Sequence, residues 1–302
     1  MKEIVVISGK GGTGKTSVVA SFAALAENAV LADCDVDAAD LHLVLSPEIK
    51  QRRDFSGSKG AEIVPDKCTG CGKCQELCRF NAVHKTKSGD SETFIIDPVA
   101  CEGCGVCAWF CPEKAILFDD VVNGEWFISD TRYGPMVHAK LGIAEENSGK
   151  LVTLVRKEAK KIAQDTGRSY IIVDGSPGIG CPVIASIGGA DLVIIVSEPT
   201  LSGEHDLARV AELTKHFGIP AMVCINKFDI NRDMTNRIEE KSHSFGLTLA
   251  GNIRYDTMVT KAQIAAAAVV EYTNQPVADD IRNVWNKVVS VCTNGGAEKN
   301  GN

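Results

Sequence analysis

Residues 4–17 read Ile-Val-Val-Ile-Ser-Gly-Lys-Gly-Gly-Thr-Gly-Lys-Thr-Ser, and the rest of the chain can be interpreted outward from this stretch. Its first four residues are apolar and β-branched, which predicts a buried parallel strand, and an Ala- and Val-rich helix is predicted to begin near Lys15. Gly9 to Thr16 fit the pattern G-x-x-x-x-G-K-T. In that pattern, glycines bring backbone N–H groups close to phosphate oxygens, the lysine reaches the terminal phosphates, and the hydroxyl holds Mg²⁺.

The loop and the start of the helix supply most of the predicted nucleotide contacts, because a helix N-terminus adds partial positive charge at the same point. The predicted phosphate-binding residues are Gly9, Gly11, Gly12, Thr13, Gly14, Lys15, Thr16 and Ser17, and Thr16 is also the predicted ligand of Mg²⁺.

The amino-acid composition and net charge of the chain exclude some classes of protein. The 302 residues are 44% apolar and 24% charged, which is ordinary for a globular protein with one sizeable core and a smaller module. A net charge of -7 argues against a nucleic-acid-binding surface. Apolar runs are far shorter than the ~20 residues that span a bilayer, and Met1-Lys2-Glu3 leads directly into the first strand without an export signal. We therefore expect a cytoplasmic protein with no membrane or nucleic-acid partner.

Eight of the twelve cysteines fall into two runs with matching spacing. The first is Cys68-x-x-Cys71-x-x-Cys74-x-x-x-Cys78, and the second is Cys101-x-x-Cys104-x-x-Cys107-x-x-x-Cys111-Pro. This spacing is typical of bacterial ferredoxins with two [4Fe–4S] clusters, in which the fourth cysteine of each run ligates the other cluster. The predicted ligands are Cys68, Cys71, Cys74 and Cys111 for cluster 1, and Cys101, Cys104, Cys107 and Cys78 for cluster 2.

Zinc is the alternative, since paired C-x-x-C motifs also build tetrahedral zinc sites. Zinc does not account for the repeated third cysteine or for the x-x-x-Cys spacing. Disulfides are not expected in a chain with a nucleotide loop and no export signal.

Polar residues also follow three further predicted strands. Ala29–Ala32 leads to Asp33 and Asp35, Ser169–Val173 leads to Asp174 and Gly178, and Ala221–Ile225 leads to Asn226. Ligands gather at the carboxyl ends of parallel strands in open α/β sheets.

Strands that alternate with helices predict an α/β fold with a doubly wound, mainly parallel sheet. The cysteine runs interrupt this pattern, which predicts a first segment of the phosphate-loop domain at 1–60, a small inserted α+β ferredoxin-like module at 61–117, and a second segment of the phosphate-loop domain at 118–302. Within this plan, the polar stretch 51–60 is predicted to be a linker, and Asn123-Gly124 is predicted to turn a hairpin.

A second lysine, Lys10, directly follows the first glycine of the loop. With it, the loop resembles those of the MinD, ParA, Mrp and nitrogenase iron-protein group of P-loop ATPases. The resemblance implies that Lys10 contacts the nucleotide of the other subunit, and hence an ATP-dependent homodimer. Lys10, Lys15 and Asp35 are then the catalytic residues, with Asp35 positioning the attacking water.

The same resemblance implies roles for four more residues. Asp33 supports the Mg²⁺ site, Asp174 holds a metal-bound water, Gly178 donates its backbone N–H to the γ-phosphate, and Asn226 hydrogen-bonds the nucleobase. The string Asn226-Lys-x-Asp229 is also similar to the guanine-binding motif of GTPases, but the loop favours ATP. Cys181 lies close to where the nitrogenase iron protein keeps a cluster ligand, although a small buried residue is the simpler interpretation.

Nearly the whole chain resembles MinD-type ATPases that carry an inserted ferredoxin domain. We therefore expect ATP, Mg²⁺ and two [4Fe–4S] clusters as cofactors. The first hypothesis is an ATPase whose nucleotide-driven dimer change gates contact or electron transfer with a redox or metalloprotein-assembly partner. The alternative is a positional scaffold of the MinD or ParA kind, in which the clusters are structural or sense redox state.

Overall fold

A computed structural model describes residues 1–88, 91–142 and 148–294. The strands are β1 (Lys2–Ser8), β2 (Ala29–Asp33), β3 (Glu48–Phe55), β4 (Ser58–Ile63), β5 (Val83–Ser88), β6 (Ser91–Ile96), β7 (Ile116–Val121), β8 (Gly124–Thr131), β9 (Gly134–Leu141), β10 (Tyr170–Pro177), β11 (Leu192–Ser197), β12 (Ala221–Asn226) and β13 (Thr248–Ile253).

The helices are α1 (Lys15–Leu25), α2 (Leu41–Leu45), α3 (Lys73–Leu77), α4 (Val106–Trp109), α5 (Ser148–Asp165), α6 (Cys181–Ile187), α7 (Leu201–His216), α8 (Arg232–Ser244), α9 (Thr257–Ile264), α10 (Val269–Tyr272) and α11 (Pro276–Asn294). A 3₁₀ turn at Pro65–Lys67 precedes the first cysteine run.

One large sheet carries the predicted phosphate loop. In the described part of the chain its strand order is β13-β12-β11-β1-β10-β2-β9-β8-β3. The pairings from β13 through to β9 are all parallel. Consequently the carboxyl ends of β1, β2, β10, β11 and β12 lie at the same edge, where an open α/β sheet binds its ligands.

The core of this sheet follows from its sequence pattern. Strands β1 and β11 are buried along almost their whole length, as expected for central parallel strands with helices on both faces. On one face, Phe22 of α1 packs against Trp285 of α11 with ring centroids 5.1 Å apart. Helix α11 buries Val277, Ile281, Val284 and Val288, which share one face at helical spacing. Within the described ranges, no helix combines the length and the apolar character needed to cross a membrane.

The chain divides into two compact units. Within the described ranges, one consists of Met1–Arg52, Trp126–Lys140 and residues 148–294, and the other of Arg53–Glu125 with residues 141 and 142. The second unit contains all eight clustered cysteines. It is longer at both ends than the insert predicted over 61–117, because β4 and β7 pair antiparallel across both predicted boundaries.

The predicted linker at 51–60 is wrong, because this stretch contributes to β3 and β4. All residues of β3 before Phe55 are exposed, so the strand carries no apolar alternation that could reveal it in the sequence.

The predicted hairpin at Asn123-Gly124 is also wrong, since β7 pairs with β4 and β8 joins the large sheet. The Asn123 side chain is buried and does not form an exposed turn. Its Oδ1 accepts a hydrogen bond from the Gly57 N–H at 2.8 Å, and its Nδ2 donates to Ser58 Oγ at 2.7 Å.

Candidate functional site

The glycine-rich loop connects the end of β1 to the start of α1. Gly12 and Gly14 have φ angles of 78° and 86°, a region that side chains other than glycine rarely adopt. A Cβ atom built on Gly11 or Gly12 would meet no atom within 4 Å, so the backbone of this part of the loop borders open space. These features match a loop that cradles phosphate with its N–H groups.

A cavity of about 720 Å³ lies over this loop. Its lining includes most of the predicted nucleotide-binding residues: Gly11, Gly12, Thr13, Gly14, Lys15, Thr16, Ser17, Asp35 and Asn226. The predicted residues Gly9, Lys10, Asp33, Asp174 and Gly178 are not among its lining residues.

Lys15 is buried next to two of the predicted carboxylates. Its ammonium group donates to Asp35 Oδ2 at 3.1 Å and to Asp174 Oδ1. Burial alone would lower the pKa of Lys15, but the charges of Asp174 and Asp35 more than offset this effect and raise it above its ordinary value. Lys15 therefore carries its positive charge at neutral pH.

Asp33 lies deeper, with no exposed surface. Its Oδ1 accepts a hydrogen bond from the Asp35 N–H at 3.2 Å. Burial and the charge of Asp174 raise the pKa of Asp33 well above its usual range. Among the described residues, Oδ2 of Asp33 and Oδ2 of Asp174 have no hydrogen-bond partner. Unpartnered buried carboxylate oxygens close to a phosphate loop fit a hydrated Mg²⁺ ion, which prefers oxygen ligands.

Lys10 turns away from this cavity and binds within its own chain. Its Nζ lies 2.5 Å from Glu198 Oε1 and donates to Ser202 Oγ at 3.0 Å. The role in a second subunit thus stays a prediction, and it requires these contacts to open.

Two predicted nucleotide contacts are occupied by protein atoms. The Gly178 N–H, predicted to face the γ-phosphate, donates to the Ser8 carbonyl oxygen at 2.8 Å. Asn226, predicted to bind the base, donates from Nδ2 to the Thr13 carbonyl oxygen at 2.7 Å, and its Oδ1 accepts from the Lys227 N–H at 3.0 Å. Asn226 thus fixes the loop, and base recognition by its side chain stays a prediction.

The eight clustered cysteines surround two separate cavities in the second unit. The lining of the first includes Cys68, Cys71, Cys74 and Cys111. The lining of the second includes Cys78, Cys101, Cys104 and Cys107. These are the two sets that the ferredoxin spacing predicts, including the exchange of the fourth cysteine between runs.

The surroundings of these thiols are partly apolar. Cys111 Sγ accepts a hydrogen bond from the Ala115 N–H at 3.3 Å. Burial raises the pKa of Cys74 and of Cys107, and the neighbouring thiols of each set add to the effect. In the residues that the structure describes, no three His, Cys, Asp or Glu side chains are grouped closely enough to hold a metal ion.

The scattered cysteines have different environments. Cys34 is fully buried, and burial together with the charge of Asp33 raises its pKa well above the usual range. Cys181 is exposed at the first position of α6, so the interpretation of Cys181 as a small buried residue is wrong.

Two polar residues near the loop, Gln263 and Glu198, were not predicted from the sequence. Gln263 lines the large cavity and donates from Nε2 to Ser17 Oγ at 2.9 Å. Glu198 pairs with Lys10. Gln263 lies in α9 with no motif around it. Glu198 directly follows the apolar strand β11, a position at which a polar residue could have been noted.

Comparisons with known proteins agree with this geometry. The family described as the CobQ/CobB/MinD/ParA nucleotide binding domain matches residues 4–269. An uncharacterized protein of Methanocaldococcus jannaschii is 32% identical over 290 residues, which cover 95% of this chain and 96% of that protein.

Solved structures resemble the fold. The MinC:MinD cell division protein complex of Aquifex aeolicus contains a chain with 17% identity and a TM-score of 0.58, covering 96% of each chain. The septum site-determining protein MinD complexed with Mg-ADP, from Pyrococcus horikoshii OT3, has 15% identity and a TM-score of 0.56, covering 95% of each chain. The predicted mostly parallel P-loop fold is confirmed by this likeness.

Proposed function

The chain belongs to the CobQ/CobB/MinD/ParA nucleotide-binding family, and on this basis we propose that it is an ATP-hydrolysing iron–sulfur protein. In this proposal, Mg-ATP drives formation of a homodimer, and the dimer change gates contact or electron transfer with a redox or metalloprotein-assembly partner. The observation that carries it is the division of eight cysteines into two cavities, in the order predicted for two [4Fe–4S] clusters, within a chain that also has a phosphate loop.

Hydrolysis of ATP requires positioned charge more than covalent chemistry. Lys15 binds the terminal phosphates and offsets the charge that develops on them. Lys10 of the second subunit adds positive charge at the same phosphate. Asp35 lines the cavity and orients the attacking water through its carboxylate.

The residues around the loop fit a bound Mg²⁺ ion. Thr16 would ligate it directly through its hydroxyl, and Asp174 and Asp33 would hold its water ligands through their unpartnered oxygens. Bound Mg²⁺ neutralises part of the phosphate charge. Lys15 contacts Asp35 and Asp174, so the entry of phosphate and metal exchanges one set of ionic contacts for another.

The cysteine sets fit two cubane clusters. In a [4Fe–4S] cluster each cysteine thiolate binds a different iron, so the four sulfurs surround a volume and do not need to meet at one point. The four cysteines of each set line one common cavity, and the Ala115 N–H donates to the sulfur of Cys111. When bound, the clusters supply one-electron transfer.

The second candidate is a positional scaffold of the MinD or ParA kind, with structural or redox-sensing clusters. Membership of the family is its main support. The net charge of -7 favours neither DNA binding nor attraction to anionic lipid.

The reduction potentials of the clusters, measured anaerobically with and without Mg-ATP, separate the two candidates. A gated electron donor or assembly factor should show a nucleotide-dependent shift, because a change of solvent exposure or hydrogen bonding around the sulfurs alters the potential. Unchanged potentials together with ATP-dependent filaments or surface recruitment would favour the scaffold.

A further inference from the structure

Glu198 makes the contact that keeps Lys10 within its own subunit. This residue directly follows β11, and its Oε1 lies 2.5 Å from the Lys10 ammonium group. Ser202, in the first turn of α7, accepts a second hydrogen bond from Lys10 at 3.0 Å. Thr200 caps the same helix by accepting the Gly203 N–H at 3.0 Å. Strand end and helix start thus hold the partners of Lys10 in place.

The other oxygen of Glu198 is also paired. Its Oε2 lies 3.3 Å from the Lys227 ammonium group, which donates to the Gly12 carbonyl oxygen at 3.3 Å. Burial alone would raise the pKa of Glu198, but Lys10 and Lys227 hold it below its usual range, so the carboxylate is charged at neutral pH.

We propose that Glu198 is a positioning residue that holds Lys10 in its own subunit and thereby weakens ATP-dependent dimerisation until Lys10 is released to the partner's nucleotide. This inference rests on the proposed trans role of Lys10. Lys10 cannot keep its 2.5 Å contact with Glu198 while it contacts a phosphate on another subunit.

The ion pair between Lys10 and Glu198 can open at a low cost in free energy. The side chains of Lys10 and Glu198 are 34% and 15% exposed, so water replaces part of the lost interaction. Lys227 stays paired with Glu198 when Lys10 leaves, so that the half-buried carboxylate keeps a counter-ion. A partly exposed ion pair of this kind changes an equilibrium constant by about 2- to 5-fold. Because two such contacts open per dimer, Glu198 should weaken dimerisation by about 4- to 25-fold.

Glu204 offers a matched control. Its side chain is also 15% exposed, and it too pairs with two cations, Arg237 and Lys241, but not with Lys10. The dimer dissociation constant is measured by analytical ultracentrifugation with saturating Mg-ATP, on the full chain prepared anaerobically and carrying Asp35→Asn to block hydrolysis. Glu198→Gln should tighten the dimer by about 4- to 25-fold, while Glu204→Gln should change it by less than about 2-fold.

Two further variants keep the test decisive. Ser202→Ala removes the second contact of Lys10 without a change of charge and should tighten the dimer by about 2-fold, which matters if Glu198→Gln folds poorly. Lys10→Ala should abolish the dimer and remain monomeric when Glu198→Gln is added. A dimer that is unchanged or weaker in Glu198→Gln, with Lys10→Ala still monomeric, would overturn the role of Glu198 alone. If Lys10→Ala dimerises normally, the proposed trans role of Lys10 is wrong as well.

Discussion

ATP hydrolysis should depend on the carboxylate of Asp35 more specifically than on any other side-chain group. It lines the cavity over the loop and contacts Lys15, which keeps Asp174 as a second partner when Asp35 is changed. Asp35→Asn should lower ATP turnover by about 100-fold or more while Mg-ATP binding persists, because the amide orients the attacking water poorly. Asp37→Asn is the control, since Asp37 is exposed. Equal losses in both variants would remove Asp35 from its assigned role. Turnover and equilibrium ATP binding are the two measurements.

His138 should give the protein a distinct acid sensitivity. Its ring stacks on Phe127, and its Nε2 lies 2.8 Å from Ser129 Oγ. Burial lowers the pKa of His138 to about 4, with His42 adding to the effect. The unfolded chain, with an ordinary histidine pKa of about 6.5, therefore binds more protons between pH 4 and 6.5. The contribution of neutral His138 to the free energy of unfolding is therefore complete above pH 6.5. It is lost at about 1.4 kcal/mol per pH unit as the pH falls toward 4.

His138→Gln isolates this effect, because glutamine keeps a polar partner for Ser129 but does not titrate. The difference in unfolding midpoint between the two proteins should be constant above pH 6.5 and shift in favour of the variant as the pH falls to 4. Parallel pH profiles would show that His138 is not the responsible group.

The loop between Cys101 and Cys107 should depend on one glycine. Gly103 has a φ of 61°, and a Cβ atom on it would lie 2.1 Å from the carbonyl oxygen of Lys59 in β4. Gly103→Ala should therefore push this loop away from β4 and lower the iron content of cluster 2. Gly167 is a matched control, since its φ is 64° but no atom lies within 4 Å of its Cβ position. Gly167→Ala should carry similar backbone strain, about 1 to 2 kcal/mol, with full iron content. Equal iron in both variants would contradict the close approach of the loop to β4.

Elements with a local signature could be predicted from the sequence. The strand, glycine turn and helix at residues 4–17 were predictable because strand burial, loop spacing and helix start all act within a few residues. The strand β3 was not, because its exposed polar side chains resemble a linker. Asn123 was misassigned because its hydrogen bonds to Gly57 and Ser58 join residues more than sixty positions apart.

The candidate site was predictable only where its residues follow a spacing pattern. The division of the eight cysteines between two cavities agrees with the spacing of the two runs, and their role as cluster ligands stays a prediction. By contrast, Glu198 and Gln263 reach the loop across about 190 and 246 residues. The position of Glu198 after an apolar strand could have marked it, but no pattern in the chain marks Gln263. The engagement of the Gly178 N–H with Ser8 depends on how two strands end side by side, which only the folded chain reveals.

At the scale of the whole molecule, the exchange of cysteines between the two runs can be tested by combining variants. Cys71→Ser should lower the iron content by about four per chain, because one cluster is lost. Adding Cys111→Ser should lower the iron content no further, since Cys111 lines the same cavity as Cys71. Adding Cys78→Ser, from the other cavity, should bring the iron content close to zero. The opposite result would show that each run binds its own cluster: adding Cys78→Ser would then leave the iron content unchanged, and adding Cys111→Ser would lower it further. Iron is counted by elemental analysis of anaerobically prepared protein.

The central claim is that one chain of this nucleotide-binding family carries two four-iron clusters. The most direct measurement is the metal content of the unmodified full chain, purified anaerobically and analysed for iron and zinc in the same sample. The account predicts about eight irons per chain and almost no zinc. About four irons or fewer, or zinc in whole-number amounts, would contradict it.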